Sequence, residues 1–540
     1  MALSLTLPLL LAAAQASPQA SPLAEVDVLD LLPDRAAARR EAAFAAVGAS
    51  EDEAFTAPLL DLLALARTAE EWYRIVDALG ALHGEDVRAT ERPWRTWSLR
   101  RAEDPDRDVP DGYAEFKARL FASALDPAFE RFLGAERTAT VPLDEVVWGG
   151  VVVDGIPALD DPEAVPAAEP TFLTDDDPVF GITLGGESRA YPTRILDWHE
   201  MVNDVVGSVP FSLTWCTLCG APVPYRGLLD GERVTFGSSG MLWRSNKLMY
   251  DRGTDTLWNQ ATGRAVIGPL AGQGVQLEVL PVRTTTWGAW RRAHPSTTVV
   301  TPRTGHDRDY TPGAAYGDYF ASAETMFPTP GLGATYRPKE RIVIVRRGGD
   351  AASVSLDRVE RTGAVTLDLA GRPVVVVTPR ATGPARLPKA WSIAIEEGGG
   401  DPLRPSASDL AAAVRAASGT LPELDVDAVV SLPRPTRREL LGGRIEGIAL
   451  FPSVRDRAAV RHLVGDARAY AADGLDLAPA RVSAEIGGEP SAQDAPTLVD
   501  QDGRSWKAEE DGLVADDGGR RDRVPSHLAF GFAWDAHFAR

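Results

Sequence analysis

A chain of 540 residues, 44% hydrophobic and 25% charged, is long enough for several structural units and has the composition of ordinary folded proteins. Collagen-like, wholly disordered and polytopic membrane chains are excluded. Lysine and arginine number 56 against 77 acidic residues, and the resulting net charge of −21, with no local basic face to offset it, argues against nucleic acid as a partner.

At the N-terminus an apolar run from Leu3 to Ala14 closes on Ala14-Gln15-Ala16, a small-x-small pattern that predicts a signal peptide over residues 1–16. The n-region carries no Lys or Arg, but export to the periplasm or the extracellular space is the expectation. No later stretch has the ~20 apolar residues of a membrane span. Residues 23–140 read as an α-helical region, with helices predicted over 36–47, 57–67, 70–82, 112–124 and 127–133 from apolar positions three or four apart. The region has no His/Cys/Asp cluster and reads as scaffold or partner-docking surface.

After Pro142 the texture turns to short β-branched or alternating runs, predicting strands over 146–153, 179–184, 209–215, 233–236 and 275–280. A helix is predicted from near Pro192 through Asn203, stopping at Gly207, and another over 287–293. Sliding the chain against itself by 163 residues aligns the strand, Gly-Gly turn and buried strand of 179–214 with those of 342–377, without a gap. The expected fold class is therefore α+β: a helical N-terminal region, a first β-rich repeat over 146–300, a loop-rich connector over 301–338, and a degenerate second repeat over 339–540. Insertions are expected near 398–408 and Gly442-Gly443. If the duplication holds, Cys216 meets Pro379 and His199 meets Thr362 in the second copy, and the fold itself does not require those two residues.

Residues 196–295, about a fifth of the chain, hold both cysteines, Met201, Met241 and Met249, and six of the thirteen tryptophans, as a walled pocket would; a dense core is the alternative. Long blocks here are specific: Trp-Gly-Gly-Val at 148, Asp-Gly-Ile-Pro at 154, Arg-Ala-Tyr-Pro at 189, Ile-Leu-Asp-Trp-His-Glu-Met-Val-Asn-Asp at 195, Cys-Thr-Leu-Cys-Gly at 216, Gly-Ser-Ser-Gly-Met-Leu-Trp-Arg-Ser-Asn-Lys-Leu-Met-Tyr-Asp-Arg at 237 and Leu-Trp-Asn-Gln at 257. These resemble the exported bacterial and archaeal family called DUF3179, strongly over 146–326 and more weakly to the C-terminus. The resemblance implies a domain and a site, and it assigns no reaction. Trp215 stands where the family is expected to favour Tyr.

Cys216-x-x-Cys219 followed by Gly220 admits three readings. Two thiolates on a tight turn bind one face of a soft or borderline ion, zinc or copper, with His199 as the best third ligand and Met201, Met241, Met249, His294 or Asp197 behind it. A redox pair at the end of a buried strand suits an exported thiol–disulfide oxidoreductase, although Gly220, Pro222 and Pro224 preclude the helix that follows thioredoxin-type pairs. A structural disulfide or inert buried pair is the third. His199, Cys216 and Cys219 are also the best catalytic candidates. Asp197, Asn203, Asp204, Ser239, Arg244, Asn246, Lys247, Asp251, Trp258, Asn259 and Gln260 are the candidate lining of a pocket for a small or anionic ligand, with His199 and Asn203 expected on one helix face. A noncatalytic ligand- or partner-binding protein is the remaining class. No dinucleotide fingerprint, P-loop, nucleophile elbow or His-Glu-x-x-His occurs.

Overall fold

The computed structural model describes residues 26–170, 172–378, 391–393, 448–450, 465–475, 477–479 and 497–539. The predicted signal peptide and the expected insertions at 398–408 and 442–443 lie outside these residues. Among the described residues no helix is long and apolar enough to cross a membrane.

Five α-helices open the described chain: Ala37–Ala49, Thr56–Leu65, Ala69–His83, Pro93–Glu103 and Tyr113–Ala124. The third shows why they form where they do. Thr68 Oγ1 accepts the Glu71 N–H at 3.2 Å, Glu70 and Glu71 sit in the first turn, Gly84 ends the helix at φ +64°, and Ile75, Val76, Leu79 and Leu82 fill the buried face. Pro93–Glu103 escaped the periodicity because Trp97 alone of its residues is buried, which leaves no apolar stripe to read. The predicted 127–133 helix is a 3-10 turn over Pro127–Arg131. Inside the bundle, Lys117 Nζ meets Asp61 Oδ1 at 2.7 Å, and Tyr113 donates to the same carboxylate at 2.7 Å.

The helical core is continuous with Val146, Met241, Trp243, Leu248 and Tyr250, so the helices pack against a sheet rather than standing apart. That antiparallel sheet runs in the order Val146–Trp148, Phe236–Trp243, Asn246–Asp251, Leu257–Asn259, Ala265–Ile267. A second sheet orders Leu159–Asp160, Met201–Val206, Val209–Cys216 and Ala221–Arg226. A third contains Arg283–Thr286, Pro178–Leu184 and Glu187–Pro192 as neighbours. The chain thus mixes helices and sheets, helical first and β-rich after.

Three expectations are corrected. The 146–153 strand stops at Trp148, where the chain turns at Gly149 and Gly150, the latter at φ +93°. Residues 275–280 form no strand, making isolated bridges such as Tyr225↔Val279 and Arg264↔Gln276. The helix expected through Asn203 is Thr193–His199: Glu200 takes φ +52°, and Met201–Val206 continues as a strand. His199 and Asn203 therefore share no helix face.

Beyond the connector, the elements Arg341–Arg347, Asp350–Ser355, Leu356–Thr362 and Ala364–Leu369 begin and end 163 residues after Pro178–Leu184, Glu187–Pro192, Thr193–His199 and Met201–Val206. The strands Arg283–Thr286 and Ser526–Phe530, each followed by a helix, pair with the first strand of their set in one register, Thr286↔Pro178 and Phe530↔Arg341. A buried ionic cluster ties the two parts: Arg283 and Arg468 reach Asp466 at 2.7 and 3.0 Å, and Arg523 reaches Glu510 at 2.6 Å. Burial would raise the Asp466 carboxyl, but Arg283 and Arg468 outweigh it and hold it far below the usual carboxylate range.

Candidate functional site

Cys216 ends one strand of an antiparallel hairpin and Ala221, its cross-strand partner, begins the next, so the Cys-x-x-Cys is the hairpin's tight turn. Gly220 closes it at φ +58°, and a Cβ there would lie 3.0 Å from the Phe530 ring. Both thiols are free and buried, with sulfurs 2.9 Å apart in hydrogen-bond contact.

A second hairpin holds this turn. Its two-residue connection, Arg244-Ser245, sits at φ +51° and +59°, a conformation for which Asn-Gly is usual. Two non-glycine residues there imply strain tolerated for what the tip touches. Cys219 Sγ lies 3.4 Å from Ser245 O and accepts from Asn246 Nδ2 at 3.2 Å. Asn246 is itself fixed by Gln260 Oε1 at 2.9 Å, and by Asn259 Nδ2 and the Ala261 N–H, each donating at 3.1 Å. Gln260 Nε2 then donates to Thr214 and to Ala221 O, which flank the cysteine turn. The amides thus lock the two hairpins together.

The environments of the thiols differ. Burial opposes ionisation of both. At Cys216, hydrogen bonds from Cys219 and the Lys247 backbone N–H outweigh it and hold the thiol below its ordinary value. At Cys219 the neighbouring Cys216 adds to burial and pushes the thiol well up. Cys216, with Glu200, Lys247, Tyr316, Met241 and Met326, lines a cavity of about 50 Å³ that Cys219 does not reach.

Within that cavity Lys247 Nζ and Glu200 Oε2 form an ion pair at 2.5 Å, with side chains 6% and 7% exposed. Thr217 Oγ1 and Tyr316 OH each donate to Glu200 Oε1 at 2.9 Å. A non-glycine residue in the left-handed region costs about 1 kcal/mol relative to glycine. At the matching offset the chain has Gly363, at φ +79°. Glu200 takes such a position at φ +52° and turns its carboxylate to Lys247.

Asp197, on the Thr193–His199 helix, accepts Trp215 Nε1 at 2.9 Å. Burial, with a smaller push from Glu200, raises it to about 7 against the opposing Trp215 hydrogen bond. His199 is buried and engaged at both ring nitrogens, Nδ1 with Pro157 O at 2.8 Å and Nε2 with Tyr310 OH at 2.6 Å. Burial lowers its pKa to about 4, leaving it neutral. Its neighbours are these groups and the His306 ring rather than either sulfur. Among the described residues no group of three or more His, Cys, Asp or Glu side chains is gathered as a metal centre would need.

Of the residues expected to line a pocket, Asn246 bonds Cys219, Lys247 lines the cavity with Cys216, Asn259 and Gln260 hold Asn246, and Asp197 bonds Trp215, the residue before Cys216. The others brace the framework elsewhere. Asn203 bonds Asp160 and Phe236 O, Asp204 pairs with Arg189 at 2.7 Å, Ser239 bonds Leu248 O, and Arg244 grips Glu145. Asp251 receives the Trp258 indole at 2.9 Å, and the Trp258 ring packs against Phe236. Sequence reasoning left out of the site Glu200, Thr217, Tyr316 and Tyr319, whose OH donates to Leu218 O at 2.7 Å. The available signal was Tyr316 and Tyr319 three residues apart in an otherwise loop-rich connector.

A groove of about 570 Å³ lies between the helices and the connector, lined by Trp72, Trp94, Arg92, Arg95, Tyr319 and Met326. Met326 lines both the groove and the Cys216 cavity.

No curated protein and no solved structure matches the chain. Residues 153–397 match the family described as "Protein of unknown function (DUF3179)", a span that holds both cysteines, the second hairpin and the connector. The chain carries a DUF3179 domain, and the dithiol site lies within it.

Proposed function

We propose that Cys216 and Cys219 are a redox-active dithiol, with Cys216 the attacking thiol and Cys219 the resolving one. The observation that carries this reading is a pair of free sulfurs 2.9 Å apart of which Cys216 alone faces the cavity. Cys216 thiolate attacks an oxidised substrate, and Cys219 then attacks the Cys216 sulfur to close a disulfide. Export, suggested by the N-terminal segment, would place the pair where disulfides persist.

The 163-residue offset, preserved in element bounds and strand register, supports reading the β-rich part as two copies of one hairpin–helix–hairpin unit, the second degenerate. Thr362 and Gly363 then stand for His199 and Glu200, and Pro379 for Cys216 by sequence. On this reading, selection keeps the site in the first unit alone.

The test is single-cysteine reactivity. Cys219→Ser should leave a Cys216 that iodoacetamide alkylates at least about tenfold faster than Cys219 in Cys216→Ser, because only the former thiol faces the cavity. Equal rates would remove the assignment. About one equivalent of zinc or copper on the wild-type protein, absent from Cys216→Ser, would replace the redox reading with the metal one.

A further inference from the structure

We infer that the oxidant consumed at Cys216 is a small hydroperoxide, hydrogen peroxide or one little larger, admitted past Met326 and reduced with Lys247 as the proton donor. The inference rests on the redox reading above and adds its substrate class and its acid.

Size is the first argument. A cavity of about 50 Å³ holds a few water-sized molecules. Cys216 is about 1% exposed. A peptide disulfide cannot bring its sulfur to Cys216 through this opening, whereas a two-oxygen oxidant can. The second argument is the ammonium. Lys247 Nζ is buried, lines the same cavity and has Glu200 as its one polar partner among the described residues, so the protons not directed at that carboxylate are left for a molecule in the cavity. Glu200 keeps that ammonium in place, and is in turn held by Thr217 and Tyr316. The third is the resolving sulfur, already in contact with the attacking one.

The chemistry balances. Cys216 thiolate attacks one peroxide oxygen: an S–O bond forms, the O–O bond breaks, and the departing hydroxide or alkoxide takes a proton from Lys247 and leaves as water or alcohol. Cys219 then attacks the sulfenic sulfur. The S–S bond forms, the S–O bond breaks, and hydroxide leaves with the Cys219 proton as water. The dithiol loses two electrons and the peroxide gains them. An external thiol or dithiol reductant restores the pair, and ionisation of Cys216 returns the proton to Lys247.

The experiment is stopped-flow tryptophan fluorescence on the reduced full chain, mixed with hydrogen peroxide or with cumene hydroperoxide, beside thiol counting by mass after one equivalent of hypochlorous acid, a non-peroxide thiol oxidant as small as hydrogen peroxide. Hydrogen peroxide should oxidise the pair about 100-fold faster than it oxidises free cysteine, and Lys247→Met should lose about 100-fold, the lower end of what a positioned acid supplies. Met326→Trp, which narrows the entry without touching the ion pair, should also slow peroxide. It guards against a Lys247 variant that fails to fold. Cys219→Ser should stop at a sulfenic acid that dimedone traps once per chain. Peroxide oxidation no faster than free cysteine while hypochlorous acid still closes the disulfide would overturn this inference and leave the redox reading standing. Cumene hydroperoxide reacting as fast as hydrogen peroxide would also overturn it. Failure of hypochlorous acid to close the pair would remove the redox reading itself.

Discussion

Replacing Lys247 by Met strands the Glu200 carboxylate in the protein with Thr217 and Tyr316 as donors but without its cation, and Glu200→Gln strands the ammonium. Both side chains are almost fully buried, so solvent screening is slight. Removing one partner of a buried pair costs about 3–5 kcal/mol, while removing both and filling the space is close to neutral. Each single variant should therefore lose about 3–5 kcal/mol, the lower figure holding for Lys247→Met because two hydrogen bonds still solvate Glu200. The double variant should return to within about 1 kcal/mol of the wild type, a coupling of several kcal/mol. Glu200→Gly differs from Glu200→Gln in relieving the left-handed backbone at φ +52°, and should be about 1 kcal/mol the more stable of the two. Thermal unfolding followed by tryptophan fluorescence reads these as shifts of roughly 2–4 °C per kcal/mol for a unit of 150–250 residues. Additive single effects, or single effects under about 1 kcal/mol, would place the pair in solvent and refute the reasoning.

Three further outcomes follow from the packing. The Asp197 pKa is raised in the folded state, so its contribution is fully present below the unfolded carboxylate value and is lost as pH rises through about 7; Asp197→Asn should flatten the stability profile between about pH 4 and 7 and be the more stable protein at pH 8 by denaturant titration. Asp466 has the opposite sign. Its stabilisation is present above the ordinary carboxylate value and disappears as pH falls through the depressed folded one, so Asp466→Asn should lower the melting temperature at pH 7 and narrow its difference from the wild type below pH 4. A Cβ at Gly181 would fall 2.2 Å from the Trp290 ring, and Gly181→Ala should cost about 1–3 kcal/mol through displacement of that indole, visible in near-UV circular dichroism.

Where a helix or strand buries a regular face, the sequence carried the signal. The Ala/Leu-rich helices, the Trp287–Ala293 helix and the strands Pro178–Leu184 and Val209–Cys216 lie close to where periodicity put them. Reading failed where one backbone angle decided the outcome. Nothing in Trp198-His199-Glu200-Met201 marks Glu200 as left-handed, since the usual marker is glycine and the apolar spacing runs on through Met201 and Val202. The site was half legible for a related reason. Cys216, Cys219, Asn246, Lys247 and Gln260 stand out as polar or reactive residues among buried strands. Tyr316 meets Glu200 across 116 residues, from a segment whose composition announces a loop. His199 has the residue type of a ligand, but its direction is set by Pro157 and Tyr310, contacts that no spacing rule encodes.

The central claim, a reversible dithiol at Cys216 and Cys219, is met most directly by equilibrating the full chain in graded redox buffers and counting alkylated thiols by mass. The account predicts two thiols lost together in one two-electron transition, with a potential in the range of cellular dithiols, about −120 to −300 mV, and no transition in either Cys→Ser variant. Two thiols that stay reduced across that range, or that are oxidised one at a time to sulfonic acids without closing, would contradict it.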